Sequence, residues 1–264
     1  MKKILWQHIQ DLKKSVPLIH NITNYVVMNN TANALLAAGA SPIMSHAQSE
    51  IEDMVSICQA LVINIGTLDE YWSISMIKAA KKANDLGKSW LLDPVGAGAT
   101  PYRNEIIAEL LELKPTIIRA NASEIMALAK ASNLTTKGVD STAESTEAIE
   151  AAKSLNKEFG AVVCISGETD IIIDGHQKIS LKNGDALMAK VTGLGCSASA
   201  ITAAFAAVID NKFEATTTAM ALMGVCGEIA AKNSAGPGSL QLNLLDKLYN
   251  ITEEEFLSHL KISE

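Results

Sequence analysis

Short apolar runs recur along this chain, and each gives way to residues that carry chemistry in their side chains. Residues 60–65 include Asn64 and lead to Gly66. Residues 89–92 lead to Asp93, 116–118 to Arg119 and Asn121, and 161–165 to Ser166 and Gly167. Runs this short and continuous read as strands covered on both faces. Segments of helical length separate them: 24–38 closing at Gly39, 69–86 closing at Gly87, 100–113 opened by Thr100-Pro101, 123–130, 142–159 and 216–233. Ser49-x-x-Glu52 reads as a capping box opening a helix to Cys58, and Thr252-x-x-Glu255 as another near the end. Residues 17–22 and 41–45 are further extended pieces, 132–141 is a polar loop, and 170–174 with 177–181 form a hairpin turning at Gly175. The Gly236-Pro237-Gly238 stretch breaks the chain before a helix over 240–250. Strands alternating with helices specify an α/β class with a mostly parallel central sheet and helices on both faces. Ligands bind beyond the carboxyl ends of such strands. There this chain collects an acid, a base, amides, a hydroxyl and glycines, although strands also end in polar turns as a matter of routine.

Composition narrows the function. The chain has 264 residues, 48% hydrophobic and 4% aromatic, which suits a single domain over 1–264 with an aliphatic core. A formal net charge of -7 argues against nucleic acid and against an anionic membrane surface as partners. The N-terminal stretch lacks the apolar core of a signal peptide, and no apolar run approaches the ~18 residues of a membrane span. Cys58, Cys164, Cys196 and Cys226 are widely spaced. Three of them sit in apolar segments, so a reducing, cytoplasmic setting is expected.

The stretch Val191–Ile201 reads VTGLGCSASAI. Gly193 and Gly195 flank Leu194, Cys196 follows, and a helix is expected over 197–208. Glycines let backbone N–H groups approach an anion, and a helix N-terminus adds aligned dipoles. One reading is an anion hole made by Gly193, Gly195 and Cys196, suited to a phosphoryl group. The other is a glycine turn before a tightly packed helix. Arg119-Ala120-Asn121-Ala122-Ser123-Glu124 is equally double. Arg119 can grip phosphate oxygens bidentately and Glu124 can orient a magnesium-bound water, while Asn121 and Glu124 also spell a capping box. Asp93 beside Pro94 and a glycine loop suits magnesium or a plain turn. Asn24 or Thr23 caps the first long helix, or Asn24 faces a ligand. The histidines show no metal-ligand spacing.

The segments PLIHNITNYVVMNNTANALLAAGASPIMS, LVINIGTL, LLDPVGAGAT, IIRANASEI, ISGETD and VTGLGCSASA resemble, in order, those of the hydroxyethylthiazole kinases of thiamine salvage. The resemblance spans nearly the whole chain. It implies a ribokinase-like fold without a separate lid domain. It also implies transfer of the ATP γ-phosphate to the hydroxyl of 5-(2-hydroxyethyl)-4-methylthiazole, with magnesium, and a homotrimer whose sites lie at subunit interfaces. By position it implies that Met44 contacts the thiazole through its backbone and that Gly193 lines the same pocket. It further implies that Arg119 and Ser166 hold ATP and that Asp93 and Glu124 serve magnesium. Many ribokinase-like enzymes have Asp where this chain has Cys196, and the thiazole kinases commonly have Cys. A free thiol with a pKa near ~8.5 is about 3% thiolate at pH 7, so Cys196 is expected to assist as a proton acceptor and not to act as a nucleophile. The competing readings are a hydroxymethylpyrimidine or pyridoxal kinase, a nucleotide-dependent hydrate dehydratase, and a non-catalytic nucleotide or thiazole sensor.

Overall fold

The computed structural model describes residues 1–132 and 144–264. The chain runs α1 (Lys2–Ser15), β1 (Leu18–Ile22), α2 (Met28–Ala38), β2 (Ser41–Ile43), α3 (Ile51–Ile57), β3 (Ala60–Asn64), α4 (Glu70–Asp85), β4 (Ser89–Asp93), α5 (Pro101–Glu112), β5 (Ile117–Asn121) and α6 (Ala122–Ala131). It continues through α7 (Glu144–Phe159), β6 (Val162–Ser166), β7 (Asp170–Asp174), β8 (Gln177–Leu181), a short 3-10 turn (Ala186–Lys190), α8 (Leu194–Val208), α9 (Lys212–Lys232), α10 (Pro237–Asn250), α11 (Glu253–His259) and β9 (Ile262–Ser263). The nine strands form one sheet in the order β2-β1-β3-β4-β5-β6-β7-β8-β9. Pairing is parallel from β2 to β6 and antiparallel from β6 to β9.

Side-chain alternation along the strands sorts the core into two halves. Ala60, Val62, Leu91, Ile117, Val162 and Cys164 pack on the side of α1, α2 and α8 to α11. Leu61, Ile63, Trp90, Leu92, Ile118 and Val163 pack on the side of α3 to α7. The same period carries past the last apolar residue of each strand. Asn64, Asp93 and Arg119 therefore fall on the α8 side, at the carboxyl ends of β3, β4 and β5. Chain order reverses between β1 and β3, since β2 lies to one side of β1 and β3 to the other. That reversal opens a crevice where an α/β sheet takes its ligands.

Local sequence explains most element ends. Thr100 accepts from Arg103 N at 3.2 Å and Pro101 opens α5. Asn121 and Glu124 form the expected capping box at α6, and Thr252 and Glu255 form one at α11. Gly39 closes α2 in the left-handed region, and Gly175 turns the β7–β8 hairpin at φ 58.

Several boundaries differ from expectation. Helix α2 begins at Met28, and neither Thr23 nor Asn24 caps it, because Asn24 spends its amide on a neighbouring strand. Ser49 caps nothing at α3; Ser45 Oγ donates to Glu50 instead. Helix α9 starts at Lys212, where Asn211 accepts from Phe213 N and Glu214 N at 3.1 Å each, four residues before the expected start. Helix α10 begins at Pro237, so that proline opens the helix and does not break it. The segment 2–15 and the final strand β9 are additions. The loop expected over 132–141 lies, beyond Ser132, outside the described residues, as do the first two residues of the helix expected over 142–159.

Helix α1 closes on Val16 at φ 47, ψ 54, with its N–H donating to Leu12 O at 3.0 Å. Glycine is the residue suited to this left-handed position, and a β-branched side chain is strained in it. Val16→Gly is expected to stabilise the fold by about 0.5–1 kcal/mol, strain relief exceeding the added unfolded-state entropy. A urea midpoint unchanged or lowered in the variant would contradict this.

Candidate active site

The site is built at the crevice by one loop, three strand ends and one helix start. Asn64 and Asp93 are opposite one another in the β3–β4 register. Asn64 Nδ2 donates to Asp93 Oδ2 at 2.6 Å. Ser199 Oγ, on α8, donates to the same oxygen at 2.8 Å. Arg119 Nη1 donates in turn to Ser199 Oγ at 3.4 Å, and its Nε contacts Met220 Sδ at 3.4 Å. On the other flank, Asn24 Nδ2 donates to Asn64 Oδ1 at 2.8 Å and reaches Cys196 Sγ at 3.5 Å. Asn24, Asn64, Asp93, Arg119 and Ser199 are all buried, and every polar link among them spares one of them an unpaired group.

Helix α8 begins at Leu194, three residues earlier than expected, so Gly195 and Cys196 belong to its first turn. Gly193 is its N-cap, in the left-handed region at φ 81. The first intrahelical bond runs from Ser197 N to Gly193 O at 2.9 Å. The N–H groups of Leu194, Gly195 and Cys196 consequently have no acceptor within the helix and point out of its end. A Cβ on Gly195 would lie 3.7 Å from Arg119 Nη1. The guanidinium and the helix N-terminus thus converge on one spot, a place for an anion. Gly193 cannot be replaced freely, since a Cβ there would come within 2.6 Å of Val27 Cγ1.

The environment sets the titration of two groups. Burial raises the Asp93 pKa to about 6, against the opposing pull of Arg119 and of the hydrogen bonds from Ser199 and Asn64. Burial, reinforced by the negative charge of Asp93, pushes the Cys196 thiol up to about 11. A helix N-terminus would depress a thiol, and in this chain desolvation outweighs it. At pH 7 only about one Cys196 in ten thousand is thiolate, fewer than the 3% of a free thiol.

The other sequence candidates are placed as follows. Glu124 Oε1 accepts from Gly96 N at 2.9 Å and Oε2 from Asn121 N at 3.0 Å. Both its oxygens therefore tie the glycine loop after β4 to the start of α6. Ser166 ends β6 opposite Asn121, half-buried. Met44 follows β2 on the edge of the sheet, half-buried, and shares no hydrogen bond with the Asn24–Arg119 group. Sequence reading passed over Ser199, yet Ser199 lies three residues after Cys196 and so shares its helix face. It also passed over Arg103, whose guanidinium donates to Val95 O and Gly66 O at 2.9 Å each and to Ile65 O, clamping the loops after β3 and β4 together. Asp170 lies near Arg119 and accepts from Gly167 N at 3.0 Å. Among the described residues, three or more His, Cys, Asp or Glu are nowhere gathered as a metal cluster. No described helix is long and apolar enough to cross a membrane.

An anion site at a helix start, a buried arginine and a buried acid at the switch point of a parallel sheet are the parts of a phosphoryl-transfer enzyme. The model of the hydroxyethylthiazole kinase family matches residues 9–254. The chain belongs to that family. It is 55% identical to hydroxyethylthiazole kinase of Syntrophus aciditrophicus, over 97% of this chain and 96% of that protein. It superposes on the structure of the hydroxyethylthiazole kinase protein of Pyrococcus horikoshii with a TM-score of 0.92 at 40% identity, covering 99% and 98% of the two chains. A ribokinase-like superfamily protein of Enterococcus faecalis shares the fold at a TM-score of 0.65 and 13% identity, covering 89% of this chain and 88% of its own. The fold is therefore ribokinase-like, and the chain is a kinase.

Two outcomes follow for this hydroxyethylthiazole kinase family member. Because the folded pKa of Asp93 is raised above its unfolded value, stability is present below pH 4 and is withdrawn as pH rises toward 6. The loss is on the order of 3 kcal/mol. Asp93→Asn is expected to be more stable than the parent at pH 8, while losing activity. Equal urea midpoints at pH 8 would contradict the burial account. For Cys196, alkylation by iodoacetamide is expected to be slow at pH 7 and to climb only above pH 9.5, followed by mass spectrometry of the peptide. A rate plateau near pH 8 would place the thiol's environment wrongly.

Proposed function

We propose that this chain transfers the γ-phosphoryl group of ATP to the hydroxyl of 5-(2-hydroxyethyl)-4-methylthiazole, a step of thiamine salvage. The observation that carries the reading is the convergence of Arg119 with the unpaired N–H groups of α8 beside Cys196 and Asn24. The relatives that bear the family's name supply the substrate class. The alcohol oxygen forms a bond to the γ-phosphorus, the bond from that phosphorus to the β,γ-bridging oxygen breaks, and ADP leaves. The hydroxyl proton passes to an oxygen of the transferred phosphoryl group as the bond forms, so the product leaves as a protonated phosphate ester. Such a transfer asks mainly for positioning and for stabilisation of charge on the phosphoryl oxygens. The N–H groups of Leu194, Gly195 and Cys196 and the guanidinium of Arg119 provide that charge stabilisation, while Ser166 contributes to nucleotide binding.

Magnesium fits the donor set. Asp93 is a carboxylate whose ionised form is undersupplied with positive charge, and this cation characteristically keeps most of its waters while using one or two carboxylates. Asp93 and Glu124 would hold it, and when bound it neutralises charge on the phosphate oxygens. Met44 and Gly193 line the thiazole pocket in this reading. One ribokinase-like domain over 1–264, cytoplasmic and assembled as a homotrimer with sites shared between subunits, completes it. The exposed Tyr25 and Val26, next to Asn24 in sequence, are consistent with cover supplied by a neighbouring copy.

Cys196 is a neutral thiol at the hole, so it assists transfer without forming a phosphocysteine. Cys196→Ala is expected to lose activity only in part. Cys196→Asp, which offers an acceptor that ionises more readily than the thiol, is expected to retain substantial activity. Both variants inactive while folded and nucleotide-binding, with net retention at a chiral γ-phosphate, would make Cys196 a nucleophile. Substrate choice is read by ADP release with the thiazole alcohol, with pyrimidine and pyridoxal alcohols as controls. Turnover of a control and none of the thiazole would sink the proposal. Light scattering at about 28 kDa with full specific activity would exclude the shared-site trimer.

A further inference from the structure

Asn64 is one of the residues this site would be poorer without, although it reaches no anion and carries no charge. Its amide is held at both ends by partners that allow a single orientation. Gly66 N–H can only donate, and it donates to Asn64 Oδ1 at 2.9 Å. Asp93 Oδ2 lies at the other end, 2.6 Å from Asn64 Nδ2. The Gly66 restraint alone fixes which end is nitrogen, and the Asp93 contact matches it. Asn64 Oδ1 therefore faces Asn24, whose own NH2 group must turn toward it, at 2.8 Å, and toward Cys196 Sγ, at 3.5 Å. The polarity of Asn24 is thereby decided from a strand forty residues away. Its carbonyl oxygen is left over. Asn24 Oδ1 accepts no hydrogen bond from the described residues, and it is not among the buried polar atoms sealed from solvent without a partner. Gly66 makes the arrangement possible, because a Cβ there would stand 2.6 Å from Asn24 Nδ2.

We propose that Asn64 is a positioning residue that locks the Asn24 side chain with its carbonyl oxygen outward, making Asn24 an acceptor that selects a ligand hydroxyl next to Cys196. An open amide oxygen recognises an O–H or N–H donor and gives nothing to a methyl group in the same place. The hydroxyl end of the alcohol would donate to Asn24 Oδ1, its oxygen lone pairs remaining free to approach phosphorus. The assignment rests on the thiazole alcohol being the substrate, and it adds the element that tells the alcohol from its deoxy counterpart before any phosphate is transferred.

The test measures binding by calorimetry without nucleotide, for the hydroxyethyl thiazole and for the same ring bearing ethyl. The parent protein is expected to prefer the alcohol about tenfold, the range of one well-made hydrogen bond. Asn64→Leu releases Asn24 and is expected to bring that preference to about onefold while the ethyl compound binds as before. Asn64→Asp keeps an acceptor facing Asn24 and is expected to keep the preference. Asn24→Leu removes the acceptor oxygen itself, so its alcohol affinity is expected to fall about tenfold while the ethyl compound binds as before. This variant keeps the test open if Asn64→Leu does not fold, which thermal unfolding decides. A hydroxyl preference unchanged in folded Asn64→Leu, or alcohol affinity unchanged in Asn24→Leu, would overturn the proposal. Absence of thiazole phosphorylation by the parent protein is a separate result that would remove the proposed function itself.

Discussion

The guanidinium of Arg119 lies buried, and its charge is answered through a hydroxyl. Ser199 accepts from the arginine's N–H and donates its own O–H to Asp93, so one serine connects β5, α8 and β4. A buried cation with no counter-charge would cost several kcal/mol, and the two acids near it, Asp93 and Asp170, bear on it in turn. The start of α8 can rest where it does because this exchange holds its first turn against the strand ends. The anion hole, the amide pair of Asn24 and Asn64, and the setting of Cys196 all follow from that placement.

Much of this was legible in the sequence, and the reason is periodicity. Apolar runs gave the strands, and the residue after each run gave Asp93, Arg119, Asn121 and Ser166. That Asn64, Asp93 and Arg119 share one face needed the structure, since strands apolar on both sides do not mark which face is which. Asn121 and Glu124 carried two readings at once. The structure contains the capping box, and both Glu124 oxygens are engaged by backbone. Capping and magnesium binding compete for the same lone pairs only if the cation is met directly, and a hydrated ion avoids the conflict.

What was not legible came from distant partners. Thr23 and Asn24 look like helix caps because Asn and Thr cap helices, but Asn24 is claimed by Asn64 across the crevice, and α2 starts four residues later. The start of α8 was read late because glycine is a weak helix former, although Gly195 lies inside the first turn. For Cys196 the sequence supports no more than the free-thiol value, and only the fold supplies the burial and the neighbouring Asp93 that raise it. Strand β9, two residues long, exists because β8 presents an open edge to pair with.

Helix α8 is built almost wholly from small residues, LGCSASAITAAFAAV, and all but a few are buried. Such a helix has little side-chain padding, so its backbone lies close to β3 and β4 and its axis is located by direct contact. It is a rod of fifteen residues with the anion hole at one tip. An added methyl group near the far end, at Ala203 or Ala204, would tilt the rod and shift the tip without touching any ligand. In this protein, distance along α8 gives little insulation from the chemistry, and tolerance to change should follow depth of packing and not remoteness from the phosphate.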